Sequence, residues 1–405
     1  MLPRKDPSDS HKVKAEKCNT RRAAAFAVAR WLATREHPDA LLPDNPDRAF
    51  VQDVVYTTIR RMRPLRKVLG ELLKRWPKGE LEALLYVGAA QIMYMDDVPD
   101  FAAVNETVSA AKSCGNPSVS RVVNGVLRNL VRRHDEFAAK LASAPLEDRE
   151  SFPPALVRRW TARFGVDSAE RLCRWFNEPA ETFLAGKDGS FRHLERGVRV
   201  CDVPGYAEGD FVVQDPGTAL AVELMDVHPG ETVLDACAAP GGKTAQLAWR
   251  GAKVTACEVN PARRRRLEEN VRRLNLDVEI VDSLNGLAGR TFRKILVDAP
   301  CSNTGVLRRR PDARWNWLEK KMDELVRLQA EILDAAASLL EPGGLLVYST
   351  CSMEPEENHA QVESFIAKHP KFVLKSEKES IPFESGCDGA YAASLAFAGG
   401  TDKMV

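Results

Sequence analysis

The nine cysteines of this 405-residue chain include no C-x-x-C pair, and they are odd in number and scattered. That spacing argues against both a zinc ribbon and a disulfide framework, and no metal is expected. Reduced thiols in the cytoplasm are the simpler expectation. No apolar run approaches the ~20 residues of a membrane span, so no membrane role is expected. The first 22 residues are polar and lysine-rich, without the apolar core of a secretory signal. Net charge is almost absent, at +1, so the whole-molecule field does not announce a nucleic-acid partner. Basic residues are instead gathered locally at Arg60, Arg61, Arg63, Arg66 and Lys67, at Arg263 to Arg266, and at Arg308 to Arg310. Each cluster alone reads first as a solvated face. What is present is core material, 44% apolar against 28% charged residues, and enough length for two or three compact units.

The pattern along the chain changes twice. After a polar tail over 1–19, residues 20–140 read as all-helical. Apolar stripes at helical spacing occur over 21–33, 50–62, 65–75, 81–93, 104–111 and 120–132, divided by Pro, Gly and Asn. Short connections between them predict a compact bundle. Residues 151–215 give a weaker signal: helices over 154–164 and 168–176, then a Gly-rich stretch ending at Phe211-Val212-Val213, taken as a linker subdomain. Residues 216–405 alternate short apolar runs with helical patterns. The runs are 232–236, 253–257, 278–281, 294–298 and 344–348; the helical patterns are 243–250, 261–274, 318–340 and 356–368. Such alternation predicts an α/β unit, a mainly parallel doubly wound sheet covered by helices on both faces. Ligands of such sheets sit at the carboxyl ends of the strands.

The first of those ends carries Asp235-Ala-Cys-Ala-Ala-Pro-Gly-Gly-Lys-Thr244. Gly241 and Gly242 let a ligand approach the backbone, and the helix that follows offers free N–H groups. The Gly-Lys-Thr ending resembles a phosphate-binding loop, but that motif needs glycine where Cys237 stands, which disfavours nucleotide hydrolysis. The second strand reaches Glu258, where a dinucleotide-type fold places an acid against ribose hydroxyls. That acid does not separate a nicotinamide from S-adenosylmethionine. Asp282, beyond the third strand, either lies near an adenine or caps a turn.

Two further loops carry chemistry. The fourth strand ends Val297-Asp298-Ala-Pro-Cys301-Ser-Asn-Thr-Gly305, and the fifth ends Tyr348-Ser-Thr-Cys351-Ser-Met-Glu-Pro-Glu-Glu-Asn358. A lone cysteine is usually a small core residue; two at matching strand ends suggest function. Carbon 5 of cytosine is too electron-poor to attack a methyl sulfonium. A thiolate added to C6 makes C5 enamine-like, and the thiol is eliminated once the C5 proton has left. A carboxyl group such as Asp298 at the cytosine N3 and N4 edge would favour that addition.

Three segments, Ala238-Ala-Pro-Gly-Gly-Lys-Thr244, Asp298-Ala-Pro-Cys301-Ser302 and Thr350-Cys-Ser352 with Pro355-Glu-Glu-Asn358, closely resemble the RsmB/NSUN family of RNA cytosine-5 methyltransferases. The helical region, including Val122-Val-Asn-Gly-Val-Leu-Arg128, resembles the NusB-like domain of its bacterial branch, which acts on 16S ribosomal RNA. The resemblance implies a Rossmann-like methyltransferase domain over 216–405, preceded by a NusB-like RNA-binding domain over 20–140. It implies Cys351 as nucleophile, Cys301 as the thiol that assists product release, and Asp298 and Lys243 as further catalytic groups. It also implies that S-adenosylmethionine is held by Cys237, Ala238, Ala239, Pro240, Gly241, Gly242, Lys243, Glu258, Arg263, Asp282 and Asp298. Glu258 stands where the family usually carries aspartate, and Glu181 to Lys187 lacks a Leu-Arg-Val-Asn pattern often found there.

The implied partner is small-subunit ribosomal RNA before full assembly, since a flipped base must be reachable, met by a cytoplasmic monomer. Arg308 to Arg310 are expected near phosphates flanking that base. A catalytically idle, RNA-binding assembly factor is the alternative, and the intact Cys301, Cys351 and Asp298 count against it. DNA cytosine methylation is disfavoured because its enzymes lack the Thr-Cys-Ser loop. Amino-group methylation would favour an Asn/Asp-Pro-Pro-aromatic loop, which is absent.

Overall fold

The computed structural model describes residues 19–43, 47–114 and 117–398; the polar tail anticipated over 1–19 lies outside them except for Asn19. The chain divides into two compact units, Met1–Phe152 and Pro153–Val405. In the first unit, Asn19 opens the helix Thr20–Thr34 by accepting from the N–H groups of Arg21 and Arg22. Helices Arg48–Arg60, Met62–Leu72, Glu80–Tyr94, Asp100–Lys112 and Pro117–Arg132 follow, with His134–Ala142 beyond them. Glu80–Tyr94 is buried almost all round, from Ala83 to Ile92, and its five main helical neighbours pack around it. A helix apolar on every side is a bundle's centre.

In the second unit, helices Pro154–Phe164 and Val166–Asn177 precede a three-stranded antiparallel sheet of β1 (Thr182–Gly186), β2 (Phe191–Leu194) and β3 (Phe211–Val213), ordered β2-β1-β3. The 151–215 stretch thus contains a small sheet where the sequence indicated only a Gly-rich linker ending at Phe211-Val212-Val213. A seven-stranded sheet follows: β4 (Thr232–Asp235), β5 (Lys253–Cys257), β6 (Val278–Val281), β7 (Phe292–Asp298), β8 (Leu340–Thr350), β9 (Phe372–Ser380) and β10 (Ala390–Phe397). Its order is β6-β5-β4-β7-β8-β10-β9. The pairings from β6 through β8 are parallel, and β10 runs antiparallel to β8 and β9.

Alternate residues of the central strands enter opposite cores. Leu234, Ile295, Val297, Leu346 and Tyr348 pack with the helices Glu319–Ala337 and His359–Lys368. Val233, Leu296 and Val347 face the layer of Ala221, Val222 and Leu247. Burial on both faces is why these strands read as unbroken apolar runs. The strand order reverses between β4 and β7, so a crevice opens at their carboxyl ends. Asp235 and Asp298 close those two strands.

Candidate active site

Between β4 and the helix Gly242–Trp249, the chain turns through Gly241 at φ 106°. An L side chain rarely adopts that conformation, and a Cβ there would lie 2.9 Å from Leu267. The helix Pro261–Arg273 braces the loop: Asn270 donates to the Pro240 carbonyl (2.8 Å) and Arg263 to that of Ala239 (3.2 Å). Ala238 donates its N–H to the Cys257 carbonyl at the end of β5. Asp235 is buried, and Thr244 donates to its Oδ2 at 2.7 Å. Its Oδ1 has no partner. Burial pushes the Asp235 carboxyl up to about 6 and raises the Cys237 thiol as well.

Glu258 is 4% exposed, accepts the Asn260 N–H at 2.8 Å and lies 3.4 Å from the Arg263 guanidinium. Asp282 is exposed beyond β6, and the cap of the following turn is Ser283, not Asp282. An acceptor left bare at the sheet's carboxyl end, a glycine-lined turn and a buried acid on the next strand form a cradle for an amine- and hydroxyl-bearing ligand.

The two cysteine loops meet beside this cradle. Cys301 Sγ and Cys351 Sγ are 3.3 Å apart. Gly305 donates to the Cys351 carbonyl (2.9 Å) and Ala299 to that of Ser349 (2.9 Å), so the loops are joined through their backbones. Gly305 is needed there, because a Cβ would lie 2.5 Å from the Gly389 carbonyl oxygen. Cys301 is 7% exposed, and its hydrogen bond with Cys351, reinforced by burial, holds its thiol well above the ordinary value. Cys351 is half-buried, and Asn303 takes its thiol hydrogen at 3.3 Å while donating to the Cys301 carbonyl at 2.9 Å.

Lys243 pairs with Asp298 Oδ2 at 2.6 Å, and Ser349 donates to Asp298 Oδ1 at 2.7 Å. Burial works against the Lys243 charge, but Asp298 outweighs it and holds the ammonium above the usual lysine value.

Lys243, Asp298, Cys301 and Cys351 thus converge on the crevice, with Cys237 to Gly242 on its β4 side and Glu258 with Arg263 on its β5 side. Asp282 joins none of these contacts. Asn303 and Ser349, to which the sequence assigned no role, also belong to the site. Asn303 stands in the quoted Cys301 loop at positive φ, 59°, where asparagine is tolerated; only its partner was invisible.

Arg308 to Arg310 are not a phosphate-facing trio. Arg309 makes ion pairs with Asp215 at 2.7 Å and with Asp388. Arg310 pairs with Asp312 at 2.9 Å, and the Arg308 guanidinium lies over the Trp175 ring, 4.7 Å from its centroid. Asp215 and Asp388, remote in sequence, take up the Arg309 charge, while Asp312, two residues on, takes that of Arg310. Among the described residues no helix is long and apolar enough to cross a membrane, and no group of three or more His, Cys, Asp or Glu is arranged to hold a metal ion.

A family model described as "16S rRNA methyltransferase RsmB/F" matches residues 222–393, and one described as "NusB family" matches 18–132. The ribosomal RNA small subunit methyltransferase B of Erwinia tasmaniensis is 34% identical, across 86% of this chain and 90% of its own length. That of Pseudomonas putida is 34% identical, across 93% and 98%. The chain belongs to the RsmB/F family. It is an S-adenosylmethionine-dependent RNA methyltransferase with a NusB domain ahead of a Rossmann-like one. The fold agrees with a crystal structure titled PH0851, at a TM-score of 0.77 and 23% identity, covering 94% of this chain and 99% of that one. A structure titled NSun6 from Pyrococcus horikoshii with SFG matches at 0.55 and 19% identity, covering 62% and 100%. The residues of the cradle fit the RsmB/F cofactor in their chemistry: Asp235 Oδ1 is a bare acceptor, as an ammonium group requires, and Glu258 is a buried acid, as a ribose diol requires.

Proposed function

We propose that this enzyme methylates carbon 5 of a cytosine in small-subunit ribosomal RNA through a covalent thiol adduct at C6. The carrying observation is the pair of thiols in contact beside an ion-paired carboxylate, at the strand ends where the cofactor cradle lies. Cys237 to Lys243, Glu258 and Arg263 would hold the cofactor, with Asp298 and Asp282 at the margins. When bound, S-adenosylmethionine supplies an electrophilic methyl group.

The protein's own groups do the rest. Cys351, the more accessible thiol, adds to C6, and the electron pair moves toward N3. Asp298 already accepts from Lys243 and Ser349, but an ionised carboxylate has about four acceptor sites, so it retains room for the cytosine amino group. Lys243 keeps a proton next to that edge. Cys301 follows the Cys351 step. Once Cys351 is bonded to carbon, the contact that retained the Cys301 hydrogen is gone, and Cys301 gives that hydrogen to solvent. Its thiolate takes the C5 proton, and the C–H bonding pair expels Cys351 from C6. Cys301 is almost fully buried and Cys351 is the more open of the two, which favours Cys351 as nucleophile.

The names of the relatives support a small-subunit substrate. The reading includes RNA contacts from the 20–140 domain and the 151–215 subdomain, and a cytoplasmic monomer acting before the subunit is fully assembled. Bisulfite sequencing of 16S RNA from a deletion strain tests it: one cytosine should lose its protection. Full protection at every site in that strain would remove the assignment.

A further inference from the structure

Pro355-Glu-Glu-Asn358 follows the Cys351 loop as a short turn and has no part in the chemistry above. Its Glu357 is fully buried, and a buried carboxylate is costly unless hydrogen bonds surround it. Four donors do so. Ser302 gives its backbone N–H to Oε1 at 2.8 Å, and Gln329 gives its amide to the same oxygen at 3.0 Å. The hydroxyls of Ser302 and Ser352 both donate to Oε2. Ser302 is the residue after Cys301, and Ser352 is the residue after Cys351. One carboxylate therefore grips both cysteine loops at the positions next to their thiols.

The grip is itself anchored. Tyr348 donates to the Glu357 carbonyl at 2.7 Å, Asn358 donates to the Ser352 carbonyl at 2.9 Å, and Thr350 donates to the Asn358 side chain at 2.6 Å. Thr304 Oγ1 accepts the Met353 N–H at 2.8 Å, and its hydroxyl lies within 3.4 Å of both serine hydroxyls. Nothing in this network reaches the cofactor cradle.

We infer that Glu357 is a positioning residue, fixing the separation of Cys301 and Cys351 through Ser302 and Ser352. Its consequence for turnover rests on the two-thiol reading above; its consequence for thiol geometry does not. Two sulfurs held in contact have a high effective concentration toward one another, and a loosened pair has a lower one.

The test uses full-length protein carrying Ser302→Ala with Ser352→Ala, Glu357→Ala, and the triple combination. The oxidant diamide takes up the two thiol hydrogens as a hydrazine while the sulfurs join, and peptide mass spectrometry follows the Cys301–Cys351 disulfide. Both the serine pair and Glu357→Ala should slow that closure and lower kcat by about 10- to 100-fold, the scale expected for an ångström of misplacement. The KM for RNA and the affinity for S-adenosylmethionine should stay within about 3-fold, far below that loss. The triple variant should be little worse than either parent, since residues in one network are not additive. Wild-type closure and kcat in the serine pair, fully additive losses, or an equal fall in cofactor affinity would each overturn the inference. If Glu357→Ala does not fold, the serine pair decides alone. If Cys351→Ala keeps turning over, the two-thiol reading fails, while disulfide closure, which needs no RNA, still decides the positional claim.

Discussion

Cys301 Sγ lies 3.3 Å from Cys351 Sγ although 50 residues separate them in the chain. Each thiol closes a loop at the carboxyl end of a strand, and β7 and β8 are hydrogen-bonded neighbours in register from Lys294–Leu345 to Asp298–Ser349. Parallel neighbours bring their carboxyl ends to the same edge, so Cys301, three residues past Asp298, and Cys351, two past its register partner Ser349, emerge side by side. The same register sets Ser349 against Asp298, whose carboxylate it orients.

Replacing Cys351 with alanine should abolish methyl transfer and leave S-adenosylmethionine binding within about 2-fold, since the thiol forms a bond in the reaction without holding the cofactor. Single-turnover assays with labelled cofactor and calorimetry read the two quantities. Residual turnover at the wild-type rate would remove Cys351 from the role of nucleophile.

Asp235 carries a prediction about pH. In the unfolded chain its carboxyl ionises near 3.8, and in the folded protein at about 6. Between those values the folded state holds a proton that the unfolded state has lost, so stability falls as pH rises through the window. Above about 6 the full penalty applies, on the order of 3 kcal/mol for a difference of this size. Asp235→Asn should therefore raise the Tm of the ligand-free protein at pH 7.5 and remove this part of its pH dependence between 4 and 6. Asparagine can still accept from Thr244 but presents an amide where Oδ1 stood bare, so cofactor affinity should fall at least about 10-fold, roughly one charge-assisted hydrogen bond. An unchanged Kd would show that Oδ1 does not face the ligand.

The central sheet was legible because its strands are buried on both faces and carry nearly unbroken apolar runs, as at Ile295 to Val297 and Leu345 to Tyr348. β9 and β10 were not. β9 exposes Lys375, Glu377 and Lys378, which disguise it as a loop. β10 is alanine-rich, a composition that favours helix, and becomes a strand through pairing with β8 and β9. The two cysteines were legible because loop chemistry is written locally. Their controls were not: Glu357 acquires its meaning from Ser302 and Gln329, and Arg309 from Asp215 and Asp388, all contacts made by folding. A run of three arginines looks identical whether it faces water or is spoken for.

Arg309→Ala should accordingly cost stability, with little effect on RNA binding. The two carboxylates it leaves behind are almost fully buried, and breaking such a pair costs about 3–5 kcal/mol. The guanidinium is 28% exposed, so solvent screening lowers the expectation to roughly 2 kcal/mol. Burial already pushes the Asp388 carboxyl up to about 6, and losing Arg309 moves it higher. Lowering the pH from 7 to 5 should then recover part of the loss, because the folded variant takes up a proton that the unfolded chain does not. Urea titrations at both pH values measure this. The salt slope of RNA binding should be unchanged; a slope reduced by about 1 would mean that Arg309 contacts a phosphate after all.

Removing Cys301 gives the sharpest outcome. If Cys351 adds to C6 and Cys301 assists removal of the C5 proton, deleting Cys301 does not block the first bond. Addition and methyl transfer proceed, C5 keeps its proton or loses it slowly, and Cys351 cannot be expelled from C6. Cys301→Ala should therefore accumulate a protein–RNA adduct that survives denaturing electrophoresis, while its combination with Cys351→Ala should give none. The resting site supports this order, because Cys301 is almost fully buried and the more exposed sulfur is the one that can meet a base. Exchanged roles predict the mirror image, with adduct in Cys351→Ala and none in Cys301→Ala. A further control comes from Asn303, which contacts Cys351 Sγ and the Cys301 carbonyl. Asn303→Ala should slow adduct formation in the Cys301→Ala background without changing which protein carries the RNA. The variants run side by side with one labelled RNA assign each sulfur by the lane in which the shifted band appears.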